Sequence, residues 1–154
     1  MKPSEALRPG ALLSGLRFGD LGSVVKALLE TLVRAGDLSD RLAEAALRAV
    51  LERERVSSTA MVDIGVSIPH ARLEGISSVL LALALAPDAV YQAVAGAPIS
   101  IVALVLSPPD ATGEHLNFLS SLSLLLRSEA VRRELCRAES ESQVRAIIRK
   151  YEGR

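Results

Sequence analysis

The stretch Ile99-Ser-Ile-Val-Ala-Leu-Val-Leu106 lies between Pro98 and the pair Pro108-Pro109. A short apolar run of this length, rich in β-branched residues and bounded by turn formers, is typical of a buried strand. Strands that are apolar on both faces belong to a sheet covered by helices on each side. The stretch therefore predicts an α/β protein with a layered architecture.

A second apolar run, residues 79–86, lies between Gly75 and Pro87. Because Leu and Ala favour helices intrinsically, this run is compatible with a helix or a strand. Its short length and its flanking turn formers favour a buried strand. Further upstream, Pro69 pushes the residue before it toward extended geometry, so Val66-Ser67-Ile68 is predicted to be a short strand that ends at the proline.

Helical periodicity dominates the two ends of the chain. Each predicted helix begins at a residue that can cap its first turn. The helices are expected from Asp20 or Ser23 to Gly36, from Ser39 to Arg55, from Asp110 or Thr112 onward, from Ser128 to Leu135 and from Ser140, with Gln143 as a capping box, to Tyr151. Helices before and after the strand-rich middle fit an α/β fold.

One domain is expected from the length, because 154 residues with 49% apolar side chains can form a proper core. We expect it to span 1–154, with residues 1–20 as a loosely ordered arm. The 18 basic residues balance the 18 acidic ones, whereas a nucleic-acid surface needs a basic excess. The charge therefore argues against nucleic acid as a partner.

Targeting and redox features indicate the cytoplasm. Charges and prolines interrupt the N-terminal residues before a signal-type apolar segment can develop. The longest apolar run, residues 79–86, is far shorter than the ~20 residues that span a bilayer. A single cysteine, Cys136, cannot form an internal disulfide, which fits a reducing compartment. We expect a cytoplasmic protein without direct membrane insertion.

His70 directly follows Pro69, at the end of the strand predicted over residues 66–68. Reactive groups of α/β folds gather at such ends, where a rigid sheet aims a side chain into a loop-lined crevice. A histidine in this place is nevertheless more often a surface residue or a hydrogen-bonded filler. Position alone leaves both interpretations open.

The rest of the sequence disfavours several kinds of chemistry. Two histidines without a cysteine or carboxylate cluster at ligand spacing do not resemble a zinc site. The patterns G-x-S-x-G, GxxxxGK[ST] and HExxH are absent. Proton transfer and nucleophilic attack remain, since a neutral imidazole is a competent nucleophile near pH 7 and a phosphoryl group on it stays transferable. We expect neither a metal nor a cofactor.

Four short motifs occur in order along the chain. They are Arg53-Glu54, Ser58-Thr59, Gly65-Val-Ser-Ile-Pro-His70 and His115-Leu116. In this order and at nearly these spacings they resemble the enzyme IIA domains of the bacterial phosphotransferase system. The branch is the fructose and mannitol type, which includes the nitrogen-regulatory members.

The resemblance implies one mixed β-sheet with helices on both faces, and it implies roles for individual residues. His70 would take a phosphoryl group from the histidine phosphocarrier protein and pass it to a cysteine of an enzyme IIB domain. In the nitrogen-regulatory branch, the phosphorylation state can itself signal to a regulatory target protein. His115 matches the family's second histidine, and Arg53 matches the arginine beside the active one. Thr59 is a further candidate for contact with the phosphoryl group.

Elementary chemistry is consistent with these roles. His115 falls in the first turn of a predicted helix, where backbone N–H groups attract an anion and disfavour the protonated ring. We therefore expect a neutral His115 that donates one hydrogen bond to the phosphoryl oxygens. The alternative is that His115 fills the core edge beside Phe118 and that Arg53 is merely solvated. A guanidinium fork nevertheless suits a phosphoryl group.

One segment departs from the family pattern. Residues 58–64 form a longer loop that lacks the usual glycines, and Ser67 stands where a small apolar residue is usual. Glycine lets a backbone approach an anion closely, so the loop leaves a second hypothesis open. Under that hypothesis the chain is a regulatory protein-binding module that keeps the IIA fold without exchanging phosphoryl groups. A homodimer also stays open.

Overall fold

The computed structural model describes residues 1–153, apart from the side chain of Ala95, so Arg154 of the expected domain lies outside it. Its elements in chain order are α1 (Pro3–Ala6), β1 (Leu7–Ser14), α2 (Leu21–Arg34), α3 (Asp40–Val56), β2 (Ala60–Met61), β3 (Val66–Ser67), β4 (His70–Arg72), β5 (Leu80–Leu85), β6 (Tyr91–Gln92), a 3₁₀ turn (Val94–Gly96), β7 (Pro98–Ile99), β8 (Ile101–Ser107), α4 (Thr112–Arg127), α5 (Glu129–Arg137) and α6 (Glu141–Tyr151).

The main sheet is mixed and has the strand order β1-β5-β8-β3-β2, with β4 also paired to β8. β5 is antiparallel to β8, whereas β1 is parallel to β5, and β3 and β4 are parallel to β8. The predicted strand 99–106 is interrupted at Ser100, because Ile99 belongs to a separate two-stranded ladder of β6 and β7. β8 is therefore the strand around which the rest of the main sheet is built.

The buried strands divide their side chains between two cores. Val102 and Leu104 of β8 pack with the buried residues of α2 and α3. Ala103 and Val105 pack with those of α4, α5 and α6. Because successive side chains of a strand point to opposite faces, one apolar run serves both cores. This confirms the predicted α/β fold with helices on both faces of a mixed sheet.

Four helices begin directly after capping residues that the sequence predicts. The side chains that accept hydrogen bonds from first-turn N–H groups are those of Asp20, Ser39, Ser128 and Ser140. The capping box predicted at the last helix forms only in part, because the Gln143 side chain accepts from Glu139 N–H rather than from Ser140.

The cap predicted for α4 is wrong. The N-cap position is held by Ala111, which supplies no side-chain hydrogen bond. Asp110 lies one residue too early, and Thr112 is already the first helical residue. The Thr112 hydroxyl instead accepts a hydrogen bond from Arg72 at 2.9 Å. The start of α4 is thus tied to β4 by a side-chain contact.

Residues 3–14 are part of the fold, so the prediction of a loosely ordered arm is wrong for them. β1 pairs with β5 at the sheet edge, and Leu7 and Ala11 are buried. The sequence does not indicate this strand, because the pair Pro9-Gly10 is typical of a turn. An edge strand tolerates the proline because no ladder hydrogen bond is needed from it there, and the register of β1 shifts between Leu7 and Leu12.

Candidate functional site

His70 lies where two short strands follow one another along β8. β3 ends at Ser67 and β4 begins at His70, and both keep the same parallel register with β8, Ser67 opposite Val102 and His70 opposite Val105. Pro69 interrupts the ladder because it has no N–H to donate. The expectation that His70 ends a strand is therefore wrong in detail: the residue opens the next one. The sheet still holds its backbone firmly.

The His70 ring is anchored through one nitrogen. Its Nδ1 lies 2.8 Å from the carbonyl oxygen of Ile68. A carbonyl oxygen can only accept, so Nδ1 donates and carries the ring proton. In the neutral ring, Nε2 then holds a lone pair. His70 is half-buried, so the residue remains partly accessible to solvent.

His115 lies beside His70, on the first turn of α4. The two ring centroids are 5.5 Å apart, and the ring planes are tilted by 53°. His115 is 5% exposed, and its Nδ1 lies 2.6 Å from the hydroxyl oxygen of Ser107. His115 thus belongs to the buried face of α4 and also lies against His70.

The surroundings of His115 lower its pKa below the ordinary value of 6.5. Burial is the main cause, and the charges of His70 and Arg72 act in the same direction. The ring is therefore neutral near pH 7, as expected. The cause differs from the expectation, which gave the N-terminus of the helix as the reason.

An open cavity of about 410 Å³ lies over the two histidines. The residues that line it are Ala49, Arg53, His70, Ala71, Arg72, His115, Leu116 and Leu119. Arg53 comes from the last turn of α3, where it is exposed and donates to the carbonyl oxygen of Ser57 at 3.0 Å. The structure thus brings His70, His115 and Arg53 together from three separate elements.

Thr59 is not among the residues that line this cavity. Its backbone N–H donates to the carboxylate of Glu54 at 3.1 Å, and its hydroxyl donates to the same carboxylate. Since both donors are engaged, the structure gives no support to Thr59 as a contact of the phosphoryl group. Thr59 instead ties the loop that follows α3 to Glu54 on that helix.

Two residues of the site were missed from the sequence. Arg72 follows His70 by two positions on β4, and strand periodicity places both side chains on one side of the strand. It lines the cavity and is exposed. Ser107 is the last residue of β8 and is fully buried under His115. Strand spacing from His70 was the signal available for Arg72, whereas nothing in the sequence pattern marks Ser107.

The glycine-poor loop folds back on the sheet edge. Ala60 and Met61 form β2, which pairs antiparallel with β3. Gly65 takes the positive φ of 69° that the turn before β3 requires. The unusual Ser67 is buried and shares a hydrogen bond of 2.6 Å with the Tyr91 hydroxyl. No residue from 58 to 67 lines the cavity over the histidines.

Residues 1–153 contain neither a metal-ligand cluster nor a membrane-spanning helix. No group of three or more His, Cys, Asp or Glu side chains is arranged to hold a metal ion among these residues. No helix within the same range combines the length and the apolar character needed to cross a bilayer.

The lowered pKa of His115 leads to a prediction for stability. Its folded-state pKa lies below the unfolded value of 6.5, so the neutral ring stabilises the fold above that pH. This stabilisation should be lost as the pH falls from 6.5 toward the folded-state value. In His115→Gln, which cannot titrate, urea unfolding midpoints should fall less between pH 7.5 and pH 5 than in the wild type. Equal falls in both proteins would contradict the assignment.

The chain matches the family described as "Phosphoenolpyruvate-dependent sugar phosphotransferase system, EIIA 2" over residues 16–151. It is 32% identical to the fructose-specific EIIABC component of Bacillus subtilis over 153 residues. These residues are 99% of this chain and 24% of that relative, so the chain spans about a quarter of its length. The fructose-specific EIIA component of Haloferax volcanii is 35% identical over 125 residues, which are 80% of this chain and 79% of that protein.

A solved structure also resembles this one. The crystal structure of the nitrogen regulatory protein IIA-Ntr from Neisseria meningitidis superposes with a TM-score of 0.79 at 28% identity. The match covers 94% of this chain and 97% of that one. The chain is thus similar in sequence to relatives from sugar-specific systems, and similar in sequence and fold to a nitrogen regulatory protein.

Proposed function

Because the chain belongs to the EIIA 2 family of the phosphoenolpyruvate-dependent sugar phosphotransferase system, we propose that it is a phosphoryl carrier phosphorylated on His70. One observation carries the proposal. The Nδ1 atom of His70 is held by the Ile68 carbonyl, so the Nε2 lone pair is left for a phosphoryl group in a cavity that also holds two arginines and a second histidine.

The proposed step is attack by His70 Nε2 on the phosphoryl group of the phosphorylated histidine phosphocarrier protein. A nitrogen–phosphorus bond forms at His70 while the corresponding bond in the donor breaks, and its electron pair returns to the donor's imidazole nitrogen. His70 keeps its Nδ1 proton throughout, so the step balances without a proton transfer. The Ile68 carbonyl offsets the positive charge that the His70 ring acquires.

The surrounding groups suit a transferred anion. Phosphoryl transfer leaves little covalent work to the protein, so the rate depends on positioning and on charge neutralisation. Arg53 and Arg72 supply two guanidinium groups to the cavity lining from two separate elements, α3 and β4. His115 lies on the first turn of α4 and supplies a neutral ring beside His70. Together these groups offset the negative charge of the phosphoryl oxygens.

The acceptor is proposed at the level of its class. An enzyme IIB domain with a reactive cysteine, or a regulatory target protein that senses the phosphorylated form, fits a carrier of this family, and the cytoplasm is the compartment where both are found. The alternative of a non-catalytic module rested on the loop 58–64. Since that loop pairs with β3 and stays out of the cavity lining, no contact favours this alternative.

The test is transfer from purified components. The chain is incubated with phosphoenolpyruvate, enzyme I and the histidine phosphocarrier protein, and its intact mass is measured. We expect the gain of one phosphoryl group per chain, which acid removes as it removes phosphohistidine. No gain under conditions in which the phosphocarrier itself becomes phosphorylated would refute the carrier function.

The two arginines that line the cavity should each contribute to the rate of transfer. Arg53→Ala and Arg72→Ala should each slow phosphoryl uptake on the order of 10²-fold, because each removes a charged donor from the transferred group. Lysine at either position should recover only part of the rate, since it lacks the planar fork. Quenched-flow mass spectrometry measures these rates.

Arg48 provides the matched control for this pair. It is exposed on α3, the helix that carries Arg53, and it does not line the cavity. Arg48→Ala should therefore transfer at the wild-type rate. A comparable slowing in Arg48→Ala would mean that general surface charge, and not contact with the phosphoryl group, explains the arginine effects.

A further inference from the structure

Ser107 occupies an unusual place for a hydroxyl group. It ends β8, is 0% exposed, and has its Oγ 2.6 Å from Nδ1 of His115. The neighbouring residues of β8 are apolar core residues. A polar group this deeply buried costs free energy unless it is hydrogen-bonded, and for Ser107 the partner is a ring of the proposed site.

The direction of this hydrogen bond follows from the surroundings of Ser107. Among residues 1–153, the His115 ring is the one partner that the Ser107 hydroxyl contacts within hydrogen-bonding distance. If Nδ1 of His115 donated to Ser107, the hydroxyl proton would be buried without an acceptor, which proteins avoid. Ser107 therefore donates and Nδ1 of His115 accepts.

This direction determines the tautomer of His115. A neutral imidazole has one proton, and an accepting Nδ1 puts that proton on Nε2. Burial keeps the ring neutral by lowering its pKa. In His70 the ring proton lies on the other nitrogen, because the Ile68 carbonyl keeps it on Nδ1. The neighbouring rings thus have complementary tautomers, with a lone pair on His70 Nε2 and an N–H on His115 Nε2.

We propose that Ser107 is a positioning residue that fixes His115 as a hydrogen-bond donor to the phosphoryl group on His70. The inference rests on the proposed carrier function and deepens it. Ser107 does not touch the transferred group. Without its hydroxyl, the His115 ring would divide between two tautomers, and one of them would turn a lone pair toward the negatively charged oxygens.

The first test reads the tautomer directly in the unphosphorylated wild-type protein. Long-range ¹H–¹⁵N correlation spectra of ¹⁵N-histidine-labelled protein at pH 7.5 distinguish a protonated ring nitrogen from an unprotonated one. We expect His115 to be protonated at Nε2 and His70 at Nδ1. A His115 ring protonated at Nδ1 would overturn the proposal.

The second test uses a matched pair of variants. Ser107→Thr keeps the hydroxyl, whereas Ser107→Val has the same shape without it. We expect the threonine variant to keep the His115 tautomer and a near wild-type rate of phosphoryl uptake. The valine variant should lose the single tautomer and slow uptake by roughly 10–100-fold, as is common when a supporting hydrogen bond is removed. Equal rates in the two variants would overturn the role of Ser107.

Ser107→Ala guards against a shape effect. It also lacks the hydroxyl, but it is smaller than serine and adds no methyl group that could disturb packing. Ser107→Ala should therefore slow uptake as Ser107→Val does. A rate in Ser107→Ala equal to wild type would count against the proposal.

The outcomes separate this inference from the proposed function. A wild-type protein that is phosphorylated normally but carries the His115 proton on Nδ1 would refute the role of Ser107 alone. A wild-type protein that takes up no phosphoryl group would refute the carrier function, and the role of Ser107 with it, whatever the tautomer.

Discussion

His70→Ala should take up no phosphoryl group, whereas the wild type should take up one per chain. The substitution removes the one ring nitrogen whose lone pair is directed by a backbone contact toward the cavity, since Nδ1 of His70 is held by Ile68. No neighbouring group can replace it, because His115 is 5% exposed and uses its own Nδ1 on Ser107. Intact mass after incubation with phosphoenolpyruvate, enzyme I and the phosphocarrier measures the effect.

His115→Gln is the control for this experiment. It should still take up one phosphoryl group, more slowly, because a flexible amide replaces the fixed ring beside the phosphoryl oxygens while the nucleophile is kept. Far-ultraviolet circular dichroism shows whether both variants remain folded. Acid-labile phosphoryl uptake by a folded His70→Ala protein would contradict the assignment of the nucleophile.

Phe118→Ala should cost about 3–5 kcal/mol of unfolding free energy, the usual range for removing a buried aromatic ring. Phe118 is 2% exposed and packs in the core between α4 and the sheet. It lies three residues after His115, on the same face of α4. Urea unfolding followed by circular dichroism measures the loss.

Leu124 offers a matched control on the same helix. It is 70% exposed, so Leu124→Ala should change the unfolding free energy by no more than about 0.5 kcal/mol. Similar losses of unfolding free energy in the two variants would mean that Phe118 is not on the side of α4 that packs against the sheet. That result would also remove the basis for placing His115 beside His70.

The strands of the fold were predictable where their sequence is apolar on both faces. Residues 79–86 and 99–106 are predictable as buried strands because they are short, continuously apolar and bounded by turn formers. The structure shows that β5 and β8, which lie in these stretches, each contribute alternate side chains to the two cores. The order of the strands was not predictable, because it depends on contacts between residues distant in sequence. β8, for example, pairs with β5 on one side and with β3 and β4 on the other. β1 was missed because Pro9-Gly10 suggests a turn.

Some residues of the candidate site were predictable from the sequence and others were not. His70, His115 and Arg53 followed from motifs whose spacing is visible along the chain. Arg72 and Ser107 were missed because their roles depend on where the start of α4 lies relative to β4 and β8. Thr59 does not line the cavity, and both of its donors bind the Glu54 carboxylate, a contact that the sequence does not indicate. Such contacts are not encoded in residue spacing.

The position of His70 suits both a carrier and a signal. The cavity has an exposed apolar rim residue, Leu116, which is 59% exposed, and an exposed basic residue, Arg72. A phosphoryl group on His70 would add negative charge at the centre of this surface and change which partner it fits. Transfer to a IIB domain and regulation of a target protein can therefore use the same chemical change.

The most direct measurement is the location of the phosphoryl group in the phosphorylated wild-type protein. Long-range ¹H–¹⁵N spectra, with ³¹P coupling to the ring nitrogens, identify the modified atom. We expect phosphorus on Nε2 of His70, with the proton still on Nδ1 of that ring. Phosphorus on His115, or on Nδ1 of His70, would contradict the proposed mechanism.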